Sequence, residues 1–406
     1  MNNNGSNSKT TPTSGPLFRS MAMIEPEPHF NFDQAPIKML PQPTMATESA
    51  VSSPPLQLSD NWRNPQLTPI GLYYPLGNAQ TRFSLGDLNQ VLETLRHVFF
   101  KLSLHTKYHN SPISAECQSM DQVTFEVVLF ASRDHDDQVI LEVSKRDGDS
   151  HLYQRYARQI LSAVEGEPAD NMINSPSGWN ANSFAQADNI SRIGLCTDES
   201  INEALESVWN MLSTDRYDAR KLALECLTHM TDPNKSGWST AKAFAERLLH
   251  PNGLIQEQLS KFVLDYASRD ISGMSDSLFD MNGMDDLEDS KSFETYMEAD
   301  FGYLGLMTLS QTLQIAAVAK TLDVKSFLDM YSMDLVGSIM QKVDDVQQRP
   351  HHAYFAVQSL AALCDCVPTL RCRIKGAHVQ EAQLVGESSH LALATISEKL
   401  LVSLQA

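Results

Sequence analysis

In the C-terminal half of the chain, apolar positions recur at i, i+3, i+4, i+7, i+8 and i+11 in two stretches 134 residues apart. In Asp218–Met230 that face is Ala219, Leu222, Ala223, Cys226, Leu227 and Met230; in His352–Cys364 it is Ala353, Ala356, Val357, Leu360, Ala361 and Cys364. The spacing predicts two amphipathic helices with a seam of small residues, which lets each pack closely on its neighbours. Further helices are predicted from Thr197 or Asp198 to Ser213, from Ser239 to Leu249, through Ile255–Tyr266, near 299–320 and 323–347, and over Leu393–Leu404. After residue 200 no strand pattern of comparable strength appears.

Between 84 and 165 the period changes. Ser84-Leu-Gly-Asp87 opens a helix carrying Leu88, Val91, Leu92, Leu95, Phe99 and Leu102. Apolar and polar residues then alternate at Ile113, Ala115 and Cys117, and again at Val123, Phe125, Val127 and Leu129. After the turn Arg133–Asp137 they alternate at Val139, Leu141 and Val143. A closing helix uses Tyr153, Tyr156, Ala157, Ile160, Leu161 and Val164. Helix, three antiparallel strands, helix predicts an α+β layer with both helices on one face of the sheet.

The remaining stretches lack periodicity. Residues 1–80, rich in Asn, Ser, Thr, Pro and Gln, read as a disordered tail, and 167–198 as a linker between domains at 81–166 and 199–406. The tail holds Thr11-Pro12, Ser53-Pro54 and Thr68-Pro69, which fit proline-directed phosphorylation but are common in any such tail. It also holds Glu27–Asp33, a docking motif or a chance aromatic pair. The amino terminus has no apolar core for a secretory signal, and Leu304–Ala319 is broken by Ser310, Gln311 and Gln314, too polar to span a bilayer. Six scattered cysteines read as reduced thiols. The expectation is a soluble intracellular protein of cytoplasm or nucleus.

Charge narrows the partners. Of a net −19, residues 1–80 carry −1, residues 81–166 carry −3 and the remainder −15. Such a surface repels nucleic acid and anionic membrane, so a neutral or basic protein is the expected partner of the C-terminal half.

Several patterns carry ligand chemistry. Asp232-Pro-Asn-Lys-Ser-Gly237 matches the first half of an EF-hand loop, but its twelfth position is Ala243, without the bidentate carboxylate calcium needs; an interhelical turn is the favoured reading. Cys364, Cys366 and Cys372, near His351 and His352, are soft-metal ligand types. Cys364 and Cys366 point about 200° apart on a helix, which favours core packing for the first and exposure for the second. From Asp270 to Asp300 ten carboxylates alternate with apolar anchors. This acidic insertion reads either as a solvated loop or as a docking segment, with Phe279, Asp285, Asp286, Glu288, Asp289 and Phe293 as its partner-binding candidates. No catalytic motif occurs, and no cofactor or metal is expected.

The separation of the two matching helices is about three units of the ~40–47 residues typical of armadillo or HEAT repeats. Residues 199–406 accordingly resemble an armadillo/HEAT-type α-solenoid, although the middle unit, Gly302–Ala319, matches poorly and the groove asparagines of peptide-binding armadillo proteins have no counterpart. Leu141–Tyr153, a strand running into a basic pair, a Gly turn and a helix aromatic, resembles the kinase-associated C-terminal domain, without any kinase signature. That resemblance implies docking to anionic lipid or a kinase-like partner through Lys145, Arg146, Arg155 and Arg158; solvated charges beside a hairpin are the simpler reading of the same four. The combined expectation is a multidomain chain: disordered tail, α+β domain, acidic solenoid. It would serve as a non-enzymatic protein-interaction scaffold or adaptor, the alternative being a regulatory module in which the α+β domain makes any membrane contact.

Overall fold

The computed structural model describes Trp62, 67–133, 135, 137–166, 197–250, 289–320 and 324–405, and only the backbone of 289–299 and 325–334. Leu56–Ala406 form one compact unit. The Glu27–Asp33 island, Thr11, Ser53, the linker before Thr197, the helix expected over Ile255–Tyr266 and the insertion before Asp289 lie outside the described residues.

The first layer is a six-stranded sheet. Its strands are β1 (Thr68–Pro69), β2 (Gln80–Ser84), β3 (His105–Asn110), β4 (Ile113–Gln118), β5 (Thr124–Ala131) and β6 (Gln138–Asp147). The three strands with apolar alternation are β4, β5 and β6, antiparallel and consecutive, with Val127 opposite Val143 and Cys117 opposite Phe125. Strand order is β2-β6-β5-β4-β3, and β1 runs parallel to the end of β5, Thr68 facing Phe130. Helices α1 (Leu88–Lys101) and α2 (Ser150–Val164) cover one face. Leu95, Phe99, Tyr156 and Ile160 meet Ile113, Phe125, Leu129 and Leu141 there in one core. The Ser84 hydroxyl accepts from Gly86 N at 3.3 Å and opens the helical run before α1. Asp149 accepts from the amides of His151 and Leu152 and caps α2. Between β6 and α2, Gly148 has φ +93°, and a Cβ would meet Gln122 O at 2.7 Å, so the turn requires glycine.

Order begins earlier than the composition of 1–80 suggests. Trp62 is buried, its Nε1 donates to Ser114 O at 3.0 Å, and its ring stands edge-on to Tyr108 at 4.7 Å. Ile70 and Leu76 then cover Val128, Phe130 and Ile140 on the face that the helices leave open. Thr68-Pro69, read as part of a tail, is a strand.

The second layer is helical: α3 (Asp198–Leu212), α4 (Tyr217–Met230), α5 (Trp238–Leu249), α6 (Asp289–Ala319), α7 (Val324–Asp344), α8 (Pro350–Cys366), α9 (Gly376–Ser389) and α10 (Leu391–Gln405). α6 lies at its centre. Phe301 and Leu304 pack with Ala223, Leu224 and Leu227 of α4, and Ile315 with Ala241 and Ala245 of α5. Tyr303, Leu306, Leu309 and Leu313 join the core around α8. A helix apolar on all sides is one buried on all sides. The two matching helices, α4 and α8, therefore both lie against α6. Their faces differ from the periodic reading. On α4 the buried residues are Ala223, Leu224, Leu227 and Thr228, and Leu222 is 51% exposed. α8 is buried almost all round, packed by α6, α7, α9 and α10.

Candidate functional site

The four cations assigned to anion docking lie on two elements. Lys145 Nζ donates to Ser150 Oγ at 2.9 Å, and Arg146, at the end of β6, pairs with Glu126 of β5. On α2, Arg155 lies 3.8 Å from Asp121 and 5.5 Å over the Tyr156 ring, and Arg158 is exposed. Glu126 alternates with Phe125 and Val127, which face the helices, so Arg146 sits on the sheet face away from α2. The structure does not converge the four on one anion, and two of them already face a carboxylate.

Of the insertion candidates, Phe279, Asp285, Asp286 and Glu288 lie outside the described residues, while Asp289 and Phe293 belong to the backbone of α6. Asp300 is fixed: it accepts from Lys221 Nζ at 3.0 Å and from the Tyr217 hydroxyl at 2.8 Å, tying α6 to α4. The EF-hand-like stretch is one helical turn, Pro233–Ser236, whose Asp232 accepts from Asn234 N at 2.9 Å. Burial of Asp232 pushes its carboxyl up. Cys364 is buried, Cys366 half-buried and Cys372 exposed, and burial raises the first two thiols to about 11. Among the described residues no group of His, Cys, Asp or Glu is arranged to hold a metal ion.

Two features emerge that the candidate list lacks. The first is an acidic outer face. Glu199, Glu203 and Glu206 are exposed at i, i+4 and i+7 on α3, so they form one stripe. Nearby cations are occupied: Arg220 by Asp215 at 3.1 Å, Lys221 by Asp300, and Arg247 by Asp198 at 3.2 Å. Among the described residues none of the three glutamates has an ion pair. On α4, Asp218 and Leu222 are also exposed.

The second feature is the seam between the layers. Tyr303 of α6 donates its hydroxyl to Met120 O, in the β4–β5 turn, at 2.6 Å. Ser103, buried after α1 with φ 54°, accepts His351 Nε2 on its carbonyl at 3.1 Å and Ala392 N on its hydroxyl at 2.9 Å. The His351 ring lies 6.2 Å from that of His105 and 5.1 Å from that of His390. Serine and histidine are nucleophile and base types, but here the imidazole meets the serine carbonyl and the hydroxyl is taken up by an amide, an arrangement that locks rather than reacts.

Comparison with protein-family models, with curated proteins and with solved structures finds no match.

The function of the chain therefore rests on its own geometry. Among the described residues no helix is long and apolar enough to cross a membrane. The seam holds the two layers, and α3 carries the acidic stripe on its exposed side. Periodicity could find the buried side of α3; the exposed stripe is its complement and was legible as Glu199, Glu203 and Glu206 in the same window.

Proposed function

We propose that the protein is a non-enzymatic interaction scaffold or adaptor, and that the acidic outer side of α3 takes a neutral or basic protein partner. One observation carries the reading: Glu199, Glu203 and Glu206 form a stripe of exposed carboxylates along α3 without an ion pair among the described residues. Carboxylates left without counter-ions steer a basic partner. An armadillo/HEAT-like stack of helices is the architecture this reading favours. Its support is the pair of matching helices α4 and α8, both packed on α6. Of the insertion 270–300, read as an adjustable or self-blocking segment, residues 289–300 belong to α6, which leaves that role to 270–288. The alternative, a sheet layer docking anionic lipid or a kinase-like partner, has less support, because Arg146 and Arg155 face Glu126 and Asp121.

The test uses the full chain with Glu199→Lys, Glu203→Lys and Glu206→Lys together. Partners captured by the wild type and identified by cross-linking should be lost or weakened at least about tenfold, with binding falling as salt rises. An unchanged partner set at low salt would overturn the reading. A chain lacking 270–288 then asks whether that segment contributes.

A further inference from the structure

A second proton is costly at two histidines of the seam: at His390 it breaks a bond the ring accepts, and at His351 it buries a charge. His390 precedes α10, and its Nδ1 accepts from Leu393 N at 3.1 Å, capping that helix. A ring nitrogen that accepts an N–H carries no proton, so the His390 proton is on Nε2, which is buried with no hydrogen-bond partner among the described residues. Further protonation can occur only at Nδ1 and must expel the Leu393 amide. His351 lies in the first turn of α8, and its Nε2 meets a carbonyl, so it donates there and its second proton would also add charge at a helix amino terminus. His351 stands at the positive end of the α8 dipole, which disfavours a cation, while His390 lies between the carboxyl end of α9 and the amino end of α10, where its ring accepts from the α10 amide.

Around them the Ser103 carbonyl favours a charged His351, while burial and neighbouring cations oppose charge on the cluster. Lys107 of β3 bears on His105; Lys342 of α7 and Arg349 before α8 bear on His352; Tyr303 of α6 lies 4.9 Å from the His352 ring, and Tyr354 of α8 lies 6.1 Å from His390. The charged groups that bear on His105, His351 and His390 among the described residues are Lys107 and the other imidazoles. The two layers have largely separate cores, joined by the Met120 side chain and the bonds of Ser103.

We propose that this seam is an acid-operated latch: protonation of His390 removes the α10 cap and with it the hold of Ala392 on Ser103, while a second proton on His351 buries charge in the seam, so the sheet layer loosens from the helical layer while each keeps its core. Burial first, then the neighbouring cations and imidazoles, supports the direction. His105 is held down at about 4 and His390 at about 3, and His351 well below the ordinary value. An opened seam returns the rings toward about 6.5, so the open state binds more protons and gains population as pH falls below that value.

Hydrogen exchange on the full-length protein tests this, with rates corrected for the intrinsic pH dependence. Between about pH 7.5 and pH 5 the amides of Ala392 and Leu393 should lose protection by on the order of tenfold or more, while those of Val127 and Leu129 in β5 keep theirs. His390→Asn supplies a cap acceptor that does not titrate, so the Leu393 response should shrink with protection at pH 7.5 retained. Equal protection of Ala392 and Leu393 at both pH values overturns the latch, and so does loss of protection spread evenly over β5. If the variant does not fold, the wild-type comparison decides alone.

Discussion

Gln358 joins two buried hydroxyls: its Oε1 accepts from Ser310 at 2.6 Å, and its Nε2 donates to Tyr354 at 3.0 Å. Truncating it apolarly strands both. Gln358→Leu should destabilise the protein by about 2–4 kcal/mol in urea unfolding, since each stranded hydroxyl costs about 1–3 kcal/mol. Adding Ser310→Ala and Tyr354→Phe should recover most of that loss, because nothing polar is then left alone. Ser310 and Gln311 were visible in the sequence as breaks in an apolar run. Their partners were not. Gln358 and Thr231 lie 48 and 80 residues away, and periodicity tells which side of a helix a residue is on, not what stands opposite. The seam histidines were hidden for the same reason: His351 was legible beside Cys364, and Ser103 is 248 residues from it.

At the scale of elements, helix crossings set the tolerances. Where α9 meets α10, a Cβ on Gly386 would lie 2.4 Å from Ala394 N and 2.8 Å from its Cα. Gly386→Ala must push the hairpin apart and should cost about 2–4 kcal/mol. Gly337 in α7 is the control, with nothing within 4 Å of its would-be Cβ, and Gly337→Ala should stabilise by about 0.5–1 kcal/mol. Thermal unfolding of the two variants, shifted in opposite directions, would bear this out. Element existence was largely legible where one side is buried: α1, α2, β4, β5 and β6 follow their periods. The edge strands β2 and β3 did not announce themselves, since Gln80–Ser84 and His105–Asn110 are mostly polar, and a strand at a sheet edge needs no apolar alternation to be held by its neighbour. On α4 the tie between Leu222 and Leu224 was broken by tertiary packing. Leu224 is the one that reaches α6, and no count of apolar residues separates i from i+2 on a helix with apolar residues at both.

For the molecule as a whole, composition marked residues 167–198 as a boundary, while Leu56–Ala406 form one compact unit across it. Residues 197–406 produced alone would leave Tyr303 and His351 without Met120 and Ser103. That fragment should unfold at a lower temperature and bind a hydrophobic dye more strongly than the full chain; an unchanged midpoint would show the seam to be dispensable. Charge, by contrast, was readable in full from the sequence, because exposed carboxylates need no partner to be placed.

The bonds to Ser103 also set a timetable. Its hydroxyl receives an amide 289 residues further along, and Tyr303 reaches Met120 across 183. At about 5–20 residues per second of synthesis, the sheet layer is complete tens of seconds before α10 exists. During that interval Ser103 and the β4–β5 turn have only water to satisfy them. The nascent chain must therefore carry an unclosed seam, and a cell making this protein has a waiting surface to shield.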